Sequence, residues 1–365
     1  MRRATGSGET NEAPASDADT GTTSVACEVY ATADMPLGNG AFAADGRLVV
    51  SHHPMYGTDV RVSIFRPEGD LEPFPNLAWN TPRKGDEDWL DAVLGLHDDG
   101  NGRVWLMDMG TRSGITPKMV VWDTANDRLD RVVTLPPHAV NRHSEPNDFV
   151  VDTVRNFVFI ADEGAGDGGD GSTAAIIVLD LATGEARRRL EGCPGIASEA
   201  HCLHIDGREI TRLAPDGRRQ ALRVGADGIA LDAVGEWLYI SPLTGTGLWR
   251  VRTEDLLDAA LDDPALAARM ERYADKPNSG GMCFDAAGNL YMTEIESNAV
   301  GRISSSDRSY ARVLIRKDLF WPDGIMVGPD GAIYVVVTQL PYSPVLSASG
   351  TNEAMRPFKV FRFVP

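Results

Sequence analysis

Residues 281–294 read GMCFDAAGNLYMTE. A short apolar run meets a turn carrying Gly-Asn and is followed by a β-rich run. Such turns need a backbone with φ > 0, which Gly and Asn supply, so the stretch is predicted to be a β-hairpin. The same pattern recurs at 40–51 (GAFAADGRLVVS), 95–108 (GLHDDGNGRVWLMD), 148–162 (DFVVDTVRNFVFIAD), 228–241 (GIALDAVGEWLYIS) and 324–337 (GIMVGPDGAIYVVV). The copies at 148–162 and 228–241 use looser turns, Val154-Arg155-Asn156 and Val234-Gly235-Glu236. Copies recur every 43 to 80 residues or so, close to the ~40–50 of propeller blades. The long interval lies between the third and fourth copies. It holds a Gly/Asp-rich loop, 163–172, and the stretch 193–223.

A second strand pair follows several hairpins, as at 118–123 (KMVVWD), 175–181 (AIIVLDL) and 247–251 (GLWRV). Two hairpins per repeat make a four-stranded sheet. The predicted fold is therefore all-β: a six-bladed β-propeller with four-stranded blades. A pair of β-sandwiches and a seven-bladed ring are the rivals. The last strand, 358–364, is expected to pair with the first ordered strand near 27–32, removing the exposed edges between first and last blades. One peripheral helical insertion is predicted between blades four and five, over 254–274. Thr253 would be its cap and Pro264 its break.

The chain has 365 residues, 35 Lys+Arg and 53 Asp+Glu, a net charge of −18. With 42% hydrophobic residues it has the composition of a globular protein. The acidic excess argues against a nucleic-acid partner and against docking on anionic membranes. It leaves cation binding open. No apolar run approaches a membrane span. Residues 1–26 are predicted to be a disordered leader and 27–365 a single domain. The leader lacks the apolar core of a signal peptide as written. Cys193 and Cys202 are near enough in sequence for a loop disulfide in an exported protein; otherwise Cys27, Cys193, Cys202 and Cys283 are unpaired small residues. The segment His201-Cys202-Leu203-His204 lacks a second ligand pair at zinc spacing.

In a propeller, residues just before each inner strand ring the channel at one face. Aligned copies place Asn39, Leu94, Asn147, Asp227, Gly280 and Asp323 in one ring, with Ser279 a step further upstream. Residues ending the second strands make a wider ring: Ser51, Asp108, Asp162, Ser241, Glu294 and Thr338. Each Asp or Asn alone can simply cap a strand start. As a set, converging carboxylates and amides repel unless a cation or polar ligand compensates. Oxygen donors without thiolate suit Ca²⁺ or Mg²⁺; the candidate metal ligands are Asn39, Asn147 and Asp227. Glu145, Asp323 and His53 are candidate catalytic groups. Asn39, Trp89, Asn147, Asp162, Ser279, Glu294 and Trp321 are candidate ligand contacts, the two Trp as aromatic walls. His97 lies within an inner strand, where a buried role is expected. Glu163, Glu296 and Asn298 follow outer-ring positions. There is no G-x-S-x-G elbow, phosphate loop or H-E-x-x-H, and no organic cofactor is expected.

Residues 147–152 (NDFVVD) with 157–162 (FVFIAD) resemble the Yellow/major royal jelly protein family. So do 227–231 (DGIAL) with 238–243 (LYISPL), and 321–324 (WPDG) with 339–341 (QLP). The resemblance runs over roughly 36–363 and is that of a bacterial-type member. It implies a six-bladed propeller, usually secreted or at the cell surface, whose insect members are linked to pigmentation and small-ligand binding. No signal is visible, so a cytoplasmic location stays open; a monomer is expected. The chain is more distantly similar to gluconolactonase-like propellers, which hold a divalent cation at the channel mouth with a blade-one Glu, an Asn and an Asp. The corresponding positions are Asn39, Asp227 and Gly280, so the first acid is an amide here and the later Asp is missing. Asn147 matches a channel Asn of that group, and Glu145 stands where an Arg often lies. Either the cation site is rebuilt around Glu145, Asp227 and Asp323, or it is gone.

Three functions follow as expectations. One is a propeller binding a small organic ligand at the channel mouth, with isomerase or tautomerase action on aromatic metabolites. The others are a divalent-cation-dependent lactonase or esterase, and a non-enzymatic extracellular binding protein.

Overall fold

A computed structural model describes residues 25–83, 85–214 and 216–365. Six four-stranded antiparallel sheets follow one another in chain order. Their inner strands are Gly40–Phe42, Val93–Asp98, Pro146–Asp152, Ala226–Leu231, Met282–Phe284 and Pro322–Val327. The six-bladed propeller read from the repeats is the fold. Blade five shows why its hairpin forms. Gly288 takes φ +78° in the turn, and Asp285 Oδ1 accepts the N–H groups of Ala287 and Asn289 at 2.9 and 2.8 Å. The turn is closed by local chemistry before any packing is made.

Second strands such as Leu290–Glu294 and Ile333–Val337 are buried at every position, because both their faces meet other sheets. Outermost strands such as Arg128–Thr134 are mostly exposed. The apolar core is therefore divided among the spaces between blades. Val49, Leu96, Leu106 and Val120 fill one such space, and Met107, Phe149, Val158 and Ile177 the next. Blade six takes its outermost strand from the start of the chain. Cys27–Ala33 pairs with Phe358–Phe363, Cys27 opposite Phe363 and Ala33 opposite Phe358, as the sequence predicts.

Two departures concern the insertions. The helical insertion, expected to break in two at Pro264, is two short helices, Thr253–Leu257 and Asp263–Ala267. They sit between the third and fourth strands of blade four. The break falls at 258–262 and Pro264 lies in the first turn of the second helix: Asp262 caps it by accepting the Ala265 N–H at 2.9 Å, and proline is at home in a first turn. Thr253 is the first helical residue, and its hydroxyl donates to the Gly235 carbonyl at 2.6 Å. Residues 271–274, expected as helix, lie in Glu271–Asp275, the outer strand of the blade.

The second insertion, between blades three and four, forms two small hairpins: His204–Ile205 with Arg208–Glu209, and Thr211–Leu213 with Arg219–Ala221. Leu203, Ile205, Ile210, Leu222 and Val224 from this segment share one apolar cluster with Leu37, Tyr56, Trp321, Leu340 and Leu346. It is a cap packed over the end of the channel where the inner strands begin. All four cysteines are unpaired, Cys193 and Cys202 included. No helix among the described residues is long and apolar enough to cross a membrane. The expected leader, 1–26, lies outside the described residues except for its last two.

Candidate functional site

The inner strands of four blades break register near their starts: between Val93 and Leu96, Pro146 and Phe149, Ala226 and Gly228, and Pro322 and Ile325. Each carries one residue more than its partner strand over that stretch. A bulge re-aims side chains, and here it carries Asn147, Asp227 and Asp323 into the channel end. Close approach between blades helps. A Cβ on Gly324 would lie 2.6 Å from Asn39 Oδ1 and 2.8 Å from its Cα, and one on Gly95 would collide with the Asn147 carbonyl. These positions take glycine because a neighbouring backbone occupies the space.

Under the cap is a cavity of about 50 Å³. His53, Glu145, Asn147, Asp227, Trp321 and Asp323 line it together, with Glu163, Met55, Met109 and Leu222. Asn147 is the hub. Its Nδ2 donates to Glu163 Oε1 at 2.7 Å and to Asp227 Oδ1 at 3.1 Å. Its Oδ1 is buried and has no hydrogen-bond partner. The Trp321 indole N–H is likewise buried and unpartnered, on a residue with φ +53°.

The acids crowd one another. Burial pushes the Asp227 carboxyl well above its ordinary range, and the charges of Asp323 and Asp148 add to this. Glu163 is raised by burial, then by Asp227 and Glu145. Burial raises Asp323 and Asp148 to about 7 each. Glu145 is also raised by burial, although the Arg212 guanidinium opposes the rise. Like charges in one enclosed space favour the neutral acid unless a cation enters.

The remaining predicted residues lie elsewhere. The outer ring does not open onto the mouth: Ser51, Asp108, Asp162, Ser241, Glu294 and Thr338 are all fully buried. Asp162 accepts the Glu145 N–H at 2.7 Å and the Ser144 hydroxyl at 2.6 Å, and pairs with Arg188. Glu294 takes both oxygens to Arg312 Nε at 2.9 Å and also accepts from Tyr310. These carboxylates brace their blades, because arginines from the outermost strands and nearby hydroxyls saturate them. Trp89 donates to the Asp86 carbonyl at 2.8 Å and lies under Arg61. The Ser279 hydroxyl donates to the Gly281 carbonyl at 3.2 Å. Neither lines the cavity.

Asn39 turns its Oδ1 back to its neighbour's N–H, 2.7 Å from Gly40 N, and lines a different space. That space is a cavity of about 680 Å³ opening toward the hairpin turns, walled by Phe149, Met282, Phe284 and Met326. His97 lies along it, edge-on to Phe149 at 6.0 Å. Asp148 lines this larger cavity while its charge reaches Asp227, so the two spaces abut.

Glu163 is a position the sequence marks as following the outer ring, whereas Arg212, whose charge Glu145 and Glu163 favour, carries no repeat signal. Glu163 follows the second strand of blade three, and Arg212 comes from the cap. The only clue to Arg212 in the sequence is the long interval between copies three and four. The donor set suits a hard divalent cation in chemistry: the carboxylates of Glu163 and Asp227 and the orphaned amide oxygen of Asn147 are all oxygen ligands. Among the described residues no three His, Cys, Asp or Glu side chains are grouped to hold a metal, so a cation would have to draw on the amide. The two ends of that amide are nearly alike in shape, and a half-turn about its last bond exchanges them.

A family model described as Major royal jelly protein matches residues 92–342, more than half of the chain. The chain belongs to the major royal jelly protein family. Two relatives are from Apis mellifera. Major royal jelly protein 7 is 24% identical over 242 residues, 63% of this chain and 50% of that protein. Major royal jelly protein 3 is 26% identical over 195 residues, 50% of this chain and 32% of that protein. The chain thus spans half or less of the curated relatives it matches. Among solved structures, a gluconolactonase from Xanthomonas campestris superposes with a TM-score of 0.58 over 93% of this chain and 89% of that one, at 13% identity. Its likeness is one of fold.

Proposed function

We propose that this major royal jelly family propeller binds a small polar molecule beneath its cap, and that Asn147, Glu163 and Asp227, with Asp323 beside them, hold Ca²⁺ or Mg²⁺ there. The observation that carries this is the Asn147 amide: its nitrogen is shared by two raised carboxyls while its oxygen is buried with nothing to accept from. A buried acceptor left without a partner is unfavourable by roughly 1–3 kcal/mol, and crowded acids add to that. A cation relieves both. When bound, it would polarise a ligand carbonyl or hydroxyl and lower the pKa of a bound water.

The residues of the chain have separable tasks. Asn147, Glu163 and Asp227 hold the ion. The cap excludes bulk water, so charges within act at lower dielectric. Glu145 lines the cavity, and burial raises its carboxyl above the ordinary range, the direction that makes a carboxylate a better proton acceptor. That last feature favours the cation-dependent lactonase or esterase as a second reading. Isomerisation of an aromatic metabolite fits the small cavity less well, since drug-sized ligands occupy ~300–1,000 Å³. The larger cavity is in that range.

Calcium titration by calorimetry, paired with thermal melting, tests the proposal. Saturable binding and a raised melting temperature are expected, both lost in Asp227→Ala. Binding that survives Asp227→Ala, or none in the wild type, overturns the cation site. Lactone turnover dependent on calcium and on Glu145 would select the hydrolase; binding without turnover would leave the binding protein.

A further inference from the structure

The cation site uses one end of the channel. The other end is the cavity of about 680 Å³ that opens toward the hairpin turns. Its rim carries the two turns whose sequences depart from the repeat. Val154, in the blade-three turn, is 90% exposed, and Val234, in the blade-four turn, is 75% exposed; both line the cavity. The other four turns carry Asp45-Gly46, Asn101-Gly102, Ala287-Gly288 and Asp330-Gly331, a small or polar residue followed by the glycine that a turn favours. A β-branched residue gains nothing here from turn geometry or from burial. The two turns also touch: a Cβ on Gly235 would lie 2.7 Å from Arg155 Nη1. They form one apolar shoulder, continuous with Phe149, Met282, Phe284 and Met326 in the cavity wall. An exposed apolar patch joined to a concavity marks an interaction site.

The charge around this mouth has one sign. No Lys or Arg lines the cavity, whereas Asp98, Asp152 and Asp232 do. Asp152 is paired with Arg155 at 2.7 Å, which occupies that arginine. Among the described residues, Asp98 and Asp232 meet only backbone N–H groups, of Phe42 at 3.5 Å and Glu236 at 2.8 Å. Asp285, in the blade-five turn, accepts from its own turn at Ala287 and Asn289. These three acids are half-buried and stand on three different blades around the opening. A chain lying across the mouth meets several of them and covers both valines. A small molecule seated inside leaves the valines in water.

We propose that the turn end of the channel is a docking surface for a basic segment of another protein, which lays Lys or Arg side chains against Asp98, Asp232 and Asp285 and inserts one aromatic side chain past Val154 and Val234 into the cavity. A large apolar side chain filling a pocket, ringed by polar contacts, is the usual anchor of such an interface. Met282 and Met326 let the wall adjust to its shape. Opposite charge steers the segment to the mouth and rejects acidic ones. The inference does not depend on the cation site, which lies at the capped end.

The test uses the full chain and a blocked peptide whose single tryptophan is flanked on each side by lysines, titrated by calorimetry in chelator. One-to-one binding is expected, weakening ~5-fold or more between about 50 and about 300 mM salt. Replacing the peptide's lysines by glutamates, or its tryptophan by alanine, is expected to weaken binding ~10-fold or more. On the protein, two variants are compared: Val154→Ser with Val234→Ser, and Asp98→Asn with Asp232→Asn and Asp285→Asn. Each should lose ~5-fold or more at an unchanged melting temperature, because the valines are exposed and Asn keeps the turn hydrogen bonds. No binding of the lysine–tryptophan peptide, equal binding of either control peptide, or full binding by either variant overturns the proposal. Phenethylamine binding as tightly as the peptide also overturns it, since the cavity would then be a small-molecule site. Should the aspartate variant melt early, the valine variant and the two control peptides decide.

Discussion

Replacing Asp323 by Asn is expected to stabilise the calcium-free protein at pH 8 and to do so only about a quarter as much at pH 4.5. Burial raises the Asp323 carboxyl from 3.8 to about 7. A native acid with a raised pKa keeps a proton that the unfolded chain releases. Between about pH 4 and pH 7 the native state therefore binds more protons, and stability falls as pH rises through that window. A tenfold change in acidity corresponds to about 1.4 kcal/mol. A rise from 3.8 to about 7 then sets an upper bound near ~4 kcal/mol. The side chain is only partly buried, so roughly 2–4 kcal/mol is expected. Asn imitates the neutral acid and escapes this penalty. The comparison is differential because other buried groups titrate too. His52 and His53 have lowered pKa values, near 4 and 3, and Lys276 is lowered to about 7; all three favour the native state as pH rises, opposite in sign to Asp323. They are common to both proteins and largely cancel. Urea unfolding in chelator at both pH values reads the difference. A gap of the same size at pH 4.5 and pH 8, or an Asn variant no more stable at pH 8, would refute the claim that Asp323 is a buried acid without compensation. Added calcium should narrow or reverse the gap.

Other outcomes follow from particular contacts. Lys118 and Asp108 form a buried pair at 2.8 Å with 1% and 0% side-chain exposure, so Lys118→Met should lower stability by about 3–5 kcal/mol; adding Asp108→Asn should recover part of the loss in urea unfolding. Calcium affinity should rise by ~10-fold or more from pH 6 to pH 8 with net proton release, measured by calorimetry in buffers of different ionisation enthalpy, because ligands must shed protons to bind. A Cβ on Gly301 would collide with the Tyr310 ring, so Gly301→Ala should lower stability by roughly 1–3 kcal/mol in thermal or chemical melts.

The hairpins were legible because each is decided locally: a turn residue able to take φ > 0, flanked by apolar runs. Asn147, Asp227 and Asp323 were legible as a group because the register of a repeated hairpin puts equivalent positions at one height. Asn39 departs from them because blade one has a three-residue inner strand and its amide folds back onto Gly40. Asp162 and Glu294 were misplaced at the mouth for another reason. Their partners, Arg188 and Arg312, come from the outermost strands of their blades, and nothing in the spacing reveals which acids such arginines will reach. The helix misread over 271–274 reflects propensity overridden by a sheet edge that needed a partner. Arg212 was beyond reach, since an insertion has no repeat against which to align it.

The chain's first described strand completes its last blade. During synthesis Cys27–Ala33 must wait for Phe358–Phe363 to emerge, so the ring closes only once that strand has been made. Until then blade six lacks its outer strand, and the growing propeller is an open arc.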